Sequence, residues 1–399
     1  MRILIATGVP LDQPSASLTR VRAMASLLRS EGNHVLIVGS ATRAEENPTV
    51  GENGMEELSY PYQDGNLQRW MIARSRRDNT VRFYRRRLRE VIRHQRVTVC
   101  VVYSNLGSLA ELIMVVAKEE RIPVIFDCVE WFPATIRYII NGVWSEQRRL
   151  YAHSIKGANA IIGVSPFWKR WAADREMPCF WLPPITGEYE AARPDVRPER
   201  ELRVLFMGRW IEREMPLTLL RGIERARESG VAVRLDVIGE IGQSIWEWRA
   251  LRYYRRSSRL QECVHIHGFV SENRKKELLS SCDISVVFRR ECRETRALFP
   301  TRLPELMMSG TAMVLTRVTT FMGLFEDNDS VFYISPEDKG REFGELLKYL
   351  SRNRAELRRV GSKGRKVAQE TFTQPRYAGA LNSYIGSLVN RYTRMLTYK

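Results

Sequence analysis

The stretch FPTRLPELMMSGTAMVLT, residues 299–316, places three structural signals next to one another. A Pro-Thr pair precedes a helix-like segment, a Ser-Gly pair ends that segment, and an apolar run typical of a buried strand follows. The first turn of such a helix leaves backbone N–H groups without partners and carries the positive end of the helix dipole. The stretch therefore predicts an α/β unit with a phosphate-binding helix start at residues 301–303.

On both sides of this stretch, apolar runs alternate with helix-like segments. Strands are predicted in the first half at RILIATG (2–8), HVLIVG (34–39), VTVCVVY (97–103), IPVIFD (122–127) and ANAIIGVS (158–165). They are predicted in the second half at LRVLFMGR (202–209), VRLDVIGE (233–240), VHIHGFV (264–270), DISVVF (283–288) and AMVLT (312–316). Strands that alternate with helices predict parallel sheets covered on both faces.

A segment rich in proline and charge separates the two series of strands. It has no periodic apolar face, which is typical of a linker between domains. We predict an N-terminal domain over residues 1–183, a linker over 184–201, a C-terminal domain over 202–374, and a C-terminal helix over 375–399 that packs back on the N-terminal domain.

Composition limits the class of protein. The chain has 399 residues with 44% hydrophobic and 27% charged residues, which suits two globular domains. No apolar run reaches the roughly 18–20 residues of a membrane span, and the start MRILIATGVP lacks the parts of a signal peptide. The six cysteines have no CxxC spacing, so we expect neither a zinc site nor disulfides, as in a reducing cytoplasm.

The net charge of +17 predicts an anionic partner. The densest basic segment is 69–96, with eleven arginines against Asp78 and Glu90, and its apolar residues recur at helical spacing. A basic amphipathic helix of this kind docks on anionic membranes, where each arginine contributes about 1 kcal/mol. The alternative is an ordinary solvated helix face.

The 299–316 stretch resembles the nucleotide-binding signature of the GT-B-fold glycosyltransferases of family 4. The matching residues are Pro300, Thr301, Arg302, Leu303, Glu305, Met307, Gly310 and Val314. The resemblance implies that Phe299, Thr301, Arg302 and Leu303 contact the nucleotide-sugar donor. It also implies that Glu305 accepts hydrogen bonds from the ribose hydroxyls.

Further landmarks of this family occur in the expected order. LFMGRWIERE (205–214) resembles the segment whose arginine and lysine bind the donor diphosphate. Arg209 matches the arginine, whereas Met215 stands where the lysine is expected and Arg213 is the nearest substitute. The resemblance also assigns donor contacts to Gly8, Gly239, Phe269 and Val270.

FDCVEWFP (126–133) resembles a family element that faces the cleft at the end of an N-domain strand. The resemblance makes Asp127 and Glu130, together with Arg209, the candidates for catalysis. Two departures concern the sugar half of the site. Val129 replaces the usual histidine, and Ala297 replaces the first of two glutamates spaced eight residues apart.

As a whole, the resemblance implies an α/β GT-B fold, in which two Rossmann-like doubly wound domains face a central cleft. It implies a retaining hexosyltransferase that moves a sugar from a UDP- or GDP-sugar to a glycan or lipid-linked acceptor, in polysaccharide or glycolipid biosynthesis. The nucleotide-sugar is a substrate, so no cofactor is expected. The resemblance also implies that arginines rather than a metal ion stabilise the diphosphate, so no metal is expected. We expect a cytoplasmic protein bound peripherally to the inner face of the membrane.

Three alternatives remain. A degenerate GT-B protein would bind a donor without transferring sugar, and Val129 and Ala297 motivate that hypothesis. A nucleotide-sugar epimerase would act without an acceptor. A nucleic-acid binder would fit the charge, but the sequence has no zinc-finger spacing, RNP-like motif or zipper, so we expect no nucleic-acid partner.

Overall fold

The chain folds into two compact units. The computed structural model describes residues 1–13, 15–41, 49–50, 56–61, 77–104, 106–134, 136–140, 142–187, 201–239 and 245–397. Unit 1 comprises Met1–Ile185, Ala297–Phe299 and Gln374–Lys399, and unit 2 comprises Thr186–Arg296 and Pro300–Thr373. Most of the predicted linker and the first part of the basic segment, residues 69–76, lie outside the described residues.

Unit 1 is built on an eight-stranded sheet with the order β3-β4-β2-β1-β5-β6-β7-β8. All neighbouring strands run parallel except the short β3, which pairs antiparallel with β4. The strands are β1 Arg2–Pro10, β2 His34–Ala41, β3 Thr49–Val50, β4 Glu56–Pro61, β5 Val99–Tyr103, β6 Val124–Cys128, β7 Ala160–Gly163 and β8 Cys179–Trp181. Every residue of β5 and β6 is buried, as their mostly apolar sequences predict.

The helices of unit 1 connect these strands, and the last one comes from the end of the chain. They are α1 Ala16–Ser30, α2 Arg77–His94, α3 Gly107–Glu119, α4 Ile136–Ile140, α5 Val143–Ala152, α6 Pro166–Ala173 and α15 Gln374–Thr397, with a 3-10 turn at Ser154–Gly157. Ser15 caps α1 by accepting a hydrogen bond from Leu18 N. The Asn33 side-chain amide donates to Asn382 Oδ1 at 2.8 Å, which fixes α15 to the end of α1.

Unit 2 is built on a six-stranded parallel sheet with the order β11-β10-β9-β12-β13-β14. The strands are β9 Leu202–Met207, β10 Val233–Ile238, β11 Val264–Gly268, β12 Ile284–Val287, β13 Ala312–Thr316 and β14 Phe332–Ile334. This is the doubly wound order in which the chain reverses direction across the sheet between its first and fourth strands. The switch point of unit 2 therefore lies between β9 and β12.

The helices of unit 2 cover this sheet. They are α7 Pro216–Glu228, α8 Ile245–Arg256, α9 Ser258–Cys263, α10 Glu272–Ser281, α11 Arg293–Ala297, α12 Arg302–Met308, α13 Arg341–Arg352 and α14 Arg354–Thr371, with a 3-10 turn at Glu212–Glu214. The core between sheet and helices includes the fully buried residues Phe206, Trp210, Phe288 and Phe343. No helix among the described residues is long and apolar enough to cross a membrane.

Three neighbouring strands of unit 2 end in glycines with positive φ. Gly208, Gly239 and Gly268 follow or close β9, β10 and β11, with φ of 144°, 126° and 67°. Gly208 N donates to Ile238 O, and Gly239 N donates to Gly268 O, each at 2.8 Å. A Cβ on Gly239 would lie 2.4 Å from Gly208 O, so the close packing of these backbone segments requires glycine there.

We expect Gly239→Ala to reduce the free energy of unfolding by more than about 3 kcal/mol, because it combines backbone strain with a collision against Gly208 O. Gly268→Ala is the matched control. A Cβ there meets no atom within 4 Å, so only the left-handed conformation costs about 1–2 kcal/mol. Urea denaturation of both variants measures the difference, and equal losses would contradict the close packing at Gly239.

Candidate functional site

The carboxyl ends of β9 and β12 flank the switch point of unit 2, where ligands of doubly wound sheets bind. Gly208 and Arg209 directly follow β9, and Phe288 and Arg289 directly follow β12. The sequence analysis assigned Arg209 to this region but did not identify Arg289. The topology therefore places two arginines at the end of the sheet where an anionic ligand is expected.

A buried carboxylate holds two arginines beside this switch point. Glu214 is 3% exposed and forms ion pairs with Arg289, which is 4% exposed, and with Arg302. The Nε atoms of both arginines are buried and have no hydrogen-bond partner among the described residues. The cluster thus carries one more positive than negative charge and keeps two unused N–H donors.

Backbone and glycine contacts fix both arginines in place. The Thr316 hydroxyl accepts from Arg289 N at 2.7 Å and donates to Arg289 O at 2.8 Å. A Cβ on Gly208 would lie 2.8 Å from Nη1 of Arg302, so the missing side chain makes room for this guanidinium. Arg302 also lies over the Phe206 ring, with Cζ 5.7 Å from the ring centroid. Both charges are therefore held before any ligand binds.

Burial and charge act in opposite directions on this cluster. Burial by itself raises the pKa of Glu214, but the charges of Arg289 and Arg302 outweigh it and hold that pKa below its ordinary value. Burial lowers the pKa of Arg289 to about 10, against the opposing effect of Glu214. Glu214 and Arg289 are therefore both charged at neutral pH.

Arg213, the predicted substitute for an absent lysine, has an acidic partner in the structure. Arg213 forms an ion pair with Glu294. Met215 adopts a left-handed conformation, with φ of 51°, and ends the turn that carries Glu214.

Arg209 is 55% exposed in its side chain and lies 3.4 Å from Glu247, which is fully buried in the first turn of α8.

Helix α12 begins at Arg302, within the predicted helix start at residues 301–303, but one of its first N–H groups already has a partner. Thr301 is exposed and has helical φ and ψ, but Leu303 N already donates to Pro300 O at 3.1 Å. The Leu303 side chain is fully buried, so only its backbone is left for a ligand. Because α12 spans seven residues, its dipole is small, and the charge of Arg302 dominates locally.

Glu305 lies one turn into α12 and is 24% exposed in its side chain. Its carboxylate pairs with Lys275 of α10 at 2.7 Å, and Lys275 also pairs with the exposed Glu272 at 2.8 Å. Burial lowers the pKa of Lys275, but its hydrogen bonds to the two glutamates outweigh this effect and raise it. Lys275 therefore holds Glu305 in one orientation and leaves part of its carboxylate open to solvent.

The remaining unit 2 residues assigned by sequence lie at the glycine-rich strand ends. Phe269 is 83% exposed, and Val270 is half-buried beside it. Gly239 is packed against the Gly208 backbone, so its lack of a side chain serves the contact between the two loops. His267, one residue before Gly268, pairs with Asp236 at 2.7 Å.

In unit 1, the structure places Asp127 in a buried ion pair. Arg20 Nε donates to Asp127 Oδ2 at 2.8 Å, and Arg20 Nη2 donates to Oδ1 at 2.6 Å. Arg20 Nη1 donates to Leu182 O at 3.1 Å. The Asp127 side chain is 0% exposed, so the geometry favours a structural role for it rather than the predicted catalytic one.

The other unit 1 candidates differ in exposure. Glu130 and Gly8 are half-buried, and Phe299 is 4% exposed. Val129 is buried at 9% exposure in the position of the expected histidine. Ala297 is fully buried, and its carbonyl accepts hydrogen bonds from Ser165 Oγ and Trp168 Nε1, both at 2.8 Å.

Sequence reasoning missed three charged residues of unit 2, namely Glu214, Arg289 and Lys275. The Arg289–Arg290 pair directly after a buried strand was a usable signal for Arg289, since charged residues at strand ends line the ligand edge of a parallel sheet. No group of three or more His, Cys, Asp or Glu side chains in the described part of the chain is placed to hold a metal ion.

We expect Asp127→Asn to reduce the free energy of unfolding by about 3–5 kcal/mol, because it leaves the buried Arg20 charge without its partner. Asp174→Asn, at the exposed end of α6, serves as the control and should change stability by less than about 0.5 kcal/mol. Chemical denaturation measures both. An Asp127→Asn protein as stable as the wild type would contradict the structural role.

Glu214→Gln should cost about 3–5 kcal/mol of stability at neutral pH, because the buried Arg289 and the half-buried Arg302 lose their counter-ion. The lowered pKa of Glu214 makes its stabilising effect complete above the ordinary value of 4.5 and removes it as the pH falls through the folded-state pKa. The gap between variant and wild type should therefore shrink below pH 4.5. Denaturation curves recorded across this pH range measure the difference, and Glu277→Gln at an exposed site is the control. A difference in free energy of unfolding that does not change with pH would contradict the prediction.

Comparison with known proteins agrees with this architecture. Residues 201–353 match the family model described as glycosyl transferases group 1. A search of curated protein sequences finds no match.

Solved structures with the same fold cover nearly the whole chain. Sucrose-phosphate synthase from Thermosynechococcus elongatus matches with a TM-score of 0.71 and 14% identity, over 98% of this chain and 100% of the other. Anabaena HepE in complex with UDP-glucose matches with a TM-score of 0.67 and 12% identity, over 100% of both chains. The lipopolysaccharide outer core galactosyltransferase WaaB matches with a TM-score of 0.67 and 12% identity, over 97% and 99%.

At these identities the structural matches establish the fold, and the family model adds the domain type. The two doubly wound sheets confirm the predicted α/β GT-B architecture. Residues 201–353 are thus a glycosyl transferases group 1 domain, in a chain that has the GT-B fold of glycosyltransferases.

Proposed function

We propose that this protein is a retaining glycosyltransferase that transfers a hexosyl group from a nucleotide-sugar to a glycan or lipid-linked acceptor. The observation that carries the proposal is the arginine cluster at the switch point of a group 1 domain. Arg289 and Arg302 share the single carboxylate of Glu214, so this group of three described side chains carries one more positive than negative charge. The unbalanced positive charge suits the diphosphate of a sugar donor.

UDP is the favoured nucleotide. The structure of HepE, which shares this fold, contains UDP-glucose. Glu305, held by Lys275 with part of its carboxylate exposed, suits the two ribose hydroxyls, because a charged acceptor forms strong hydrogen bonds with hydroxyl donors. The base would lie near the exposed Phe269 and Val270 at the end of β11.

The chemistry that these residues support is stabilisation of a leaving diphosphate. Negative charge grows on the β-phosphate as the bond to the sugar breaks, and arginines fixed beforehand stabilise that charge without reorganising. The side chains of Arg209 and Arg302 are 55% and 17% exposed and can reach a ligand, whereas Arg289 is buried. The leaving phosphate would accept the proton of the acceptor hydroxyl on the face where attack occurs, so the proposal needs neither a protein base nor a metal ion.

For the acceptor and the location of the enzyme, we propose a class of acceptor and a side of the membrane. WaaB, with the same fold, is a lipopolysaccharide galactosyltransferase, which favours a glycan or glycolipid acceptor in polysaccharide or glycolipid biosynthesis. Such an acceptor suits a cytoplasmic enzyme held at the inner face of the membrane. Five described arginines of the 69–96 segment do not favour it as the membrane contact, because acidic side chains pair with Arg85, Arg86, Arg87, Arg89 and Arg93.

We expect Glu305→Ala to weaken UDP binding by about tenfold or more, since a hydrogen bond to a charged group contributes about 1.5–3 kcal/mol. Glu272→Ala is the matched control, because it removes the other partner of Lys275 and leaves the Lys275–Glu305 pair intact. Isothermal titration calorimetry measures both, with thermal unfolding to confirm folding. Equal affinity for the two variants would contradict the assignment of Glu305.

The function itself is tested by incubating the protein with UDP- and GDP-sugars, with and without EDTA, and following both nucleotide release and the fate of the sugar. Transfer that survives EDTA and keeps the anomeric configuration supports the proposal. An epimerised or free sugar without transfer supports the epimerase alternative. Nucleotide binding without turnover on any glycan or lipid-linked acceptor supports the degenerate alternative.

A further inference from the structure

Helix α8, Ile245–Arg256, presents an unusual outer surface. Ile245 is 67% exposed and Trp248 is 55% exposed, although both are large and apolar. The four arginines of the helix are exposed as well: Arg249, Arg252, Arg255 and Arg256. Large exposed apolar side chains next to unpaired charges are uncommon on a surface that faces only water.

These six residues lie on one face of the helix. At about 100° per residue, their positions fall within a sector of roughly 120°. The opposite side of α8 holds the helix on unit 2, since Glu247 and Ala250 are fully buried and Leu251, Tyr253 and Tyr254 pack against the core. The apolar and basic residues therefore form a single outward surface, which we call the α8 face.

The contacts of its four arginines distinguish the α8 face. None of the four forms an ion pair with a residue that the structure describes. Arg249 and Arg252 instead lie over the rings of Trp246 and Trp248, with Cζ 5.1 and 5.2 Å from the ring centroids. Cation–π contact leaves a guanidinium charged and its N–H donors open to an anion.

Helix α2, which lies in the segment that the sequence analysis assigned to membranes, is different in this respect. Its Arg85, Arg89 and Arg93 pair with Glu119 and Glu120 at the C-terminal end of α3, and Arg86 and Arg87 pair with Glu90. Those acidic partners neutralise much of the local field. Both helices are basic in sequence, but among the side chains that the structure describes, those of α8 combine unpaired arginines with exposed apolar residues and those of α2 do not.

We propose that the α8 face docks this protein on an anionic lipid bilayer. The arginines contact lipid phosphates at the headgroup level, and Ile245 and Trp248 enter the boundary with the acyl chains. The complementary charge selects an anionic surface, and the two apolar side chains favour lipid over a purely polar polyanion. The proposal concerns unit 2 by itself and does not depend on the donor site or on the transfer reaction.

The test is co-sedimentation of the full chain with vesicles of phosphatidylcholine, with or without phosphatidylglycerol. The wild type should bind only the mixed vesicles, and binding should weaken with added salt. R249Q/R252Q/R255Q/R256Q should lower the partition coefficient by about tenfold or more. I245S/W248S, which keeps every charge, should lower it several-fold.

R85Q/R86Q/R89Q/R93Q on α2 is the matched control, because it removes the same number of charges and should keep most vesicle binding. Circular dichroism and thermal unfolding verify that each variant is folded. Undiminished binding by either α8 variant, or an equal loss in the α2 variant, overturns the proposal. Binding to pure phosphatidylcholine as strong as to mixed vesicles also overturns it, as does an α8 variant that loses only oligonucleotide binding in a gel shift.

Discussion

The carboxylate of Glu214, buried between Arg289 and Arg302, is the interaction on which the switch point of unit 2 depends. It joins the turn after β9, the end of β12 and the start of α12, which are far apart in sequence. Burying one charge without partners would cost several kcal/mol, so each element tolerates its own charge only while the others are in place. The cluster thus couples the local conformation of three segments.

The same arrangement explains how two positively charged side chains are held close together in the absence of a ligand. Glu214 offsets most of the repulsion between the two guanidinium groups, and Thr316 fixes the backbone of Arg289. Two buried Nε donors remain unused among the described residues. Charges and dipoles that are fixed before binding stabilise a ligand's charge more effectively than groups that must first reorganise. An unbalanced, rigid arginine cluster is therefore well suited to an oxyanion.

Charge in this protein has to be judged residue by residue. The net charge of +17 and the dense arginines of 69–96 predict a membrane contact at one helix. Acidic residues of α2 and of the C-terminal end of α3 pair with five arginines of that helix, whereas Arg249 and Arg252 of α8 stack on tryptophan rings. A paired arginine contributes little to the field at the surface, and an unpaired one contributes fully.

The sequence by itself determined the class of fold and the type of the second domain. Apolar runs in the sequence predict the buried strands, and the motif at 299–316 identifies the type of domain. Both patterns involve residues that are close together in the sequence, so they can be recognised without knowing any tertiary contact. What only the tertiary structure decided was which charges meet. Arg213 pairs with Glu294, Arg302 with Glu214, and Asp127 with Arg20, across separations of 81, 88 and 107 residues. The availability of a charged side chain depends on partners that the fold brings together from distant parts of the chain, and no local pattern records them.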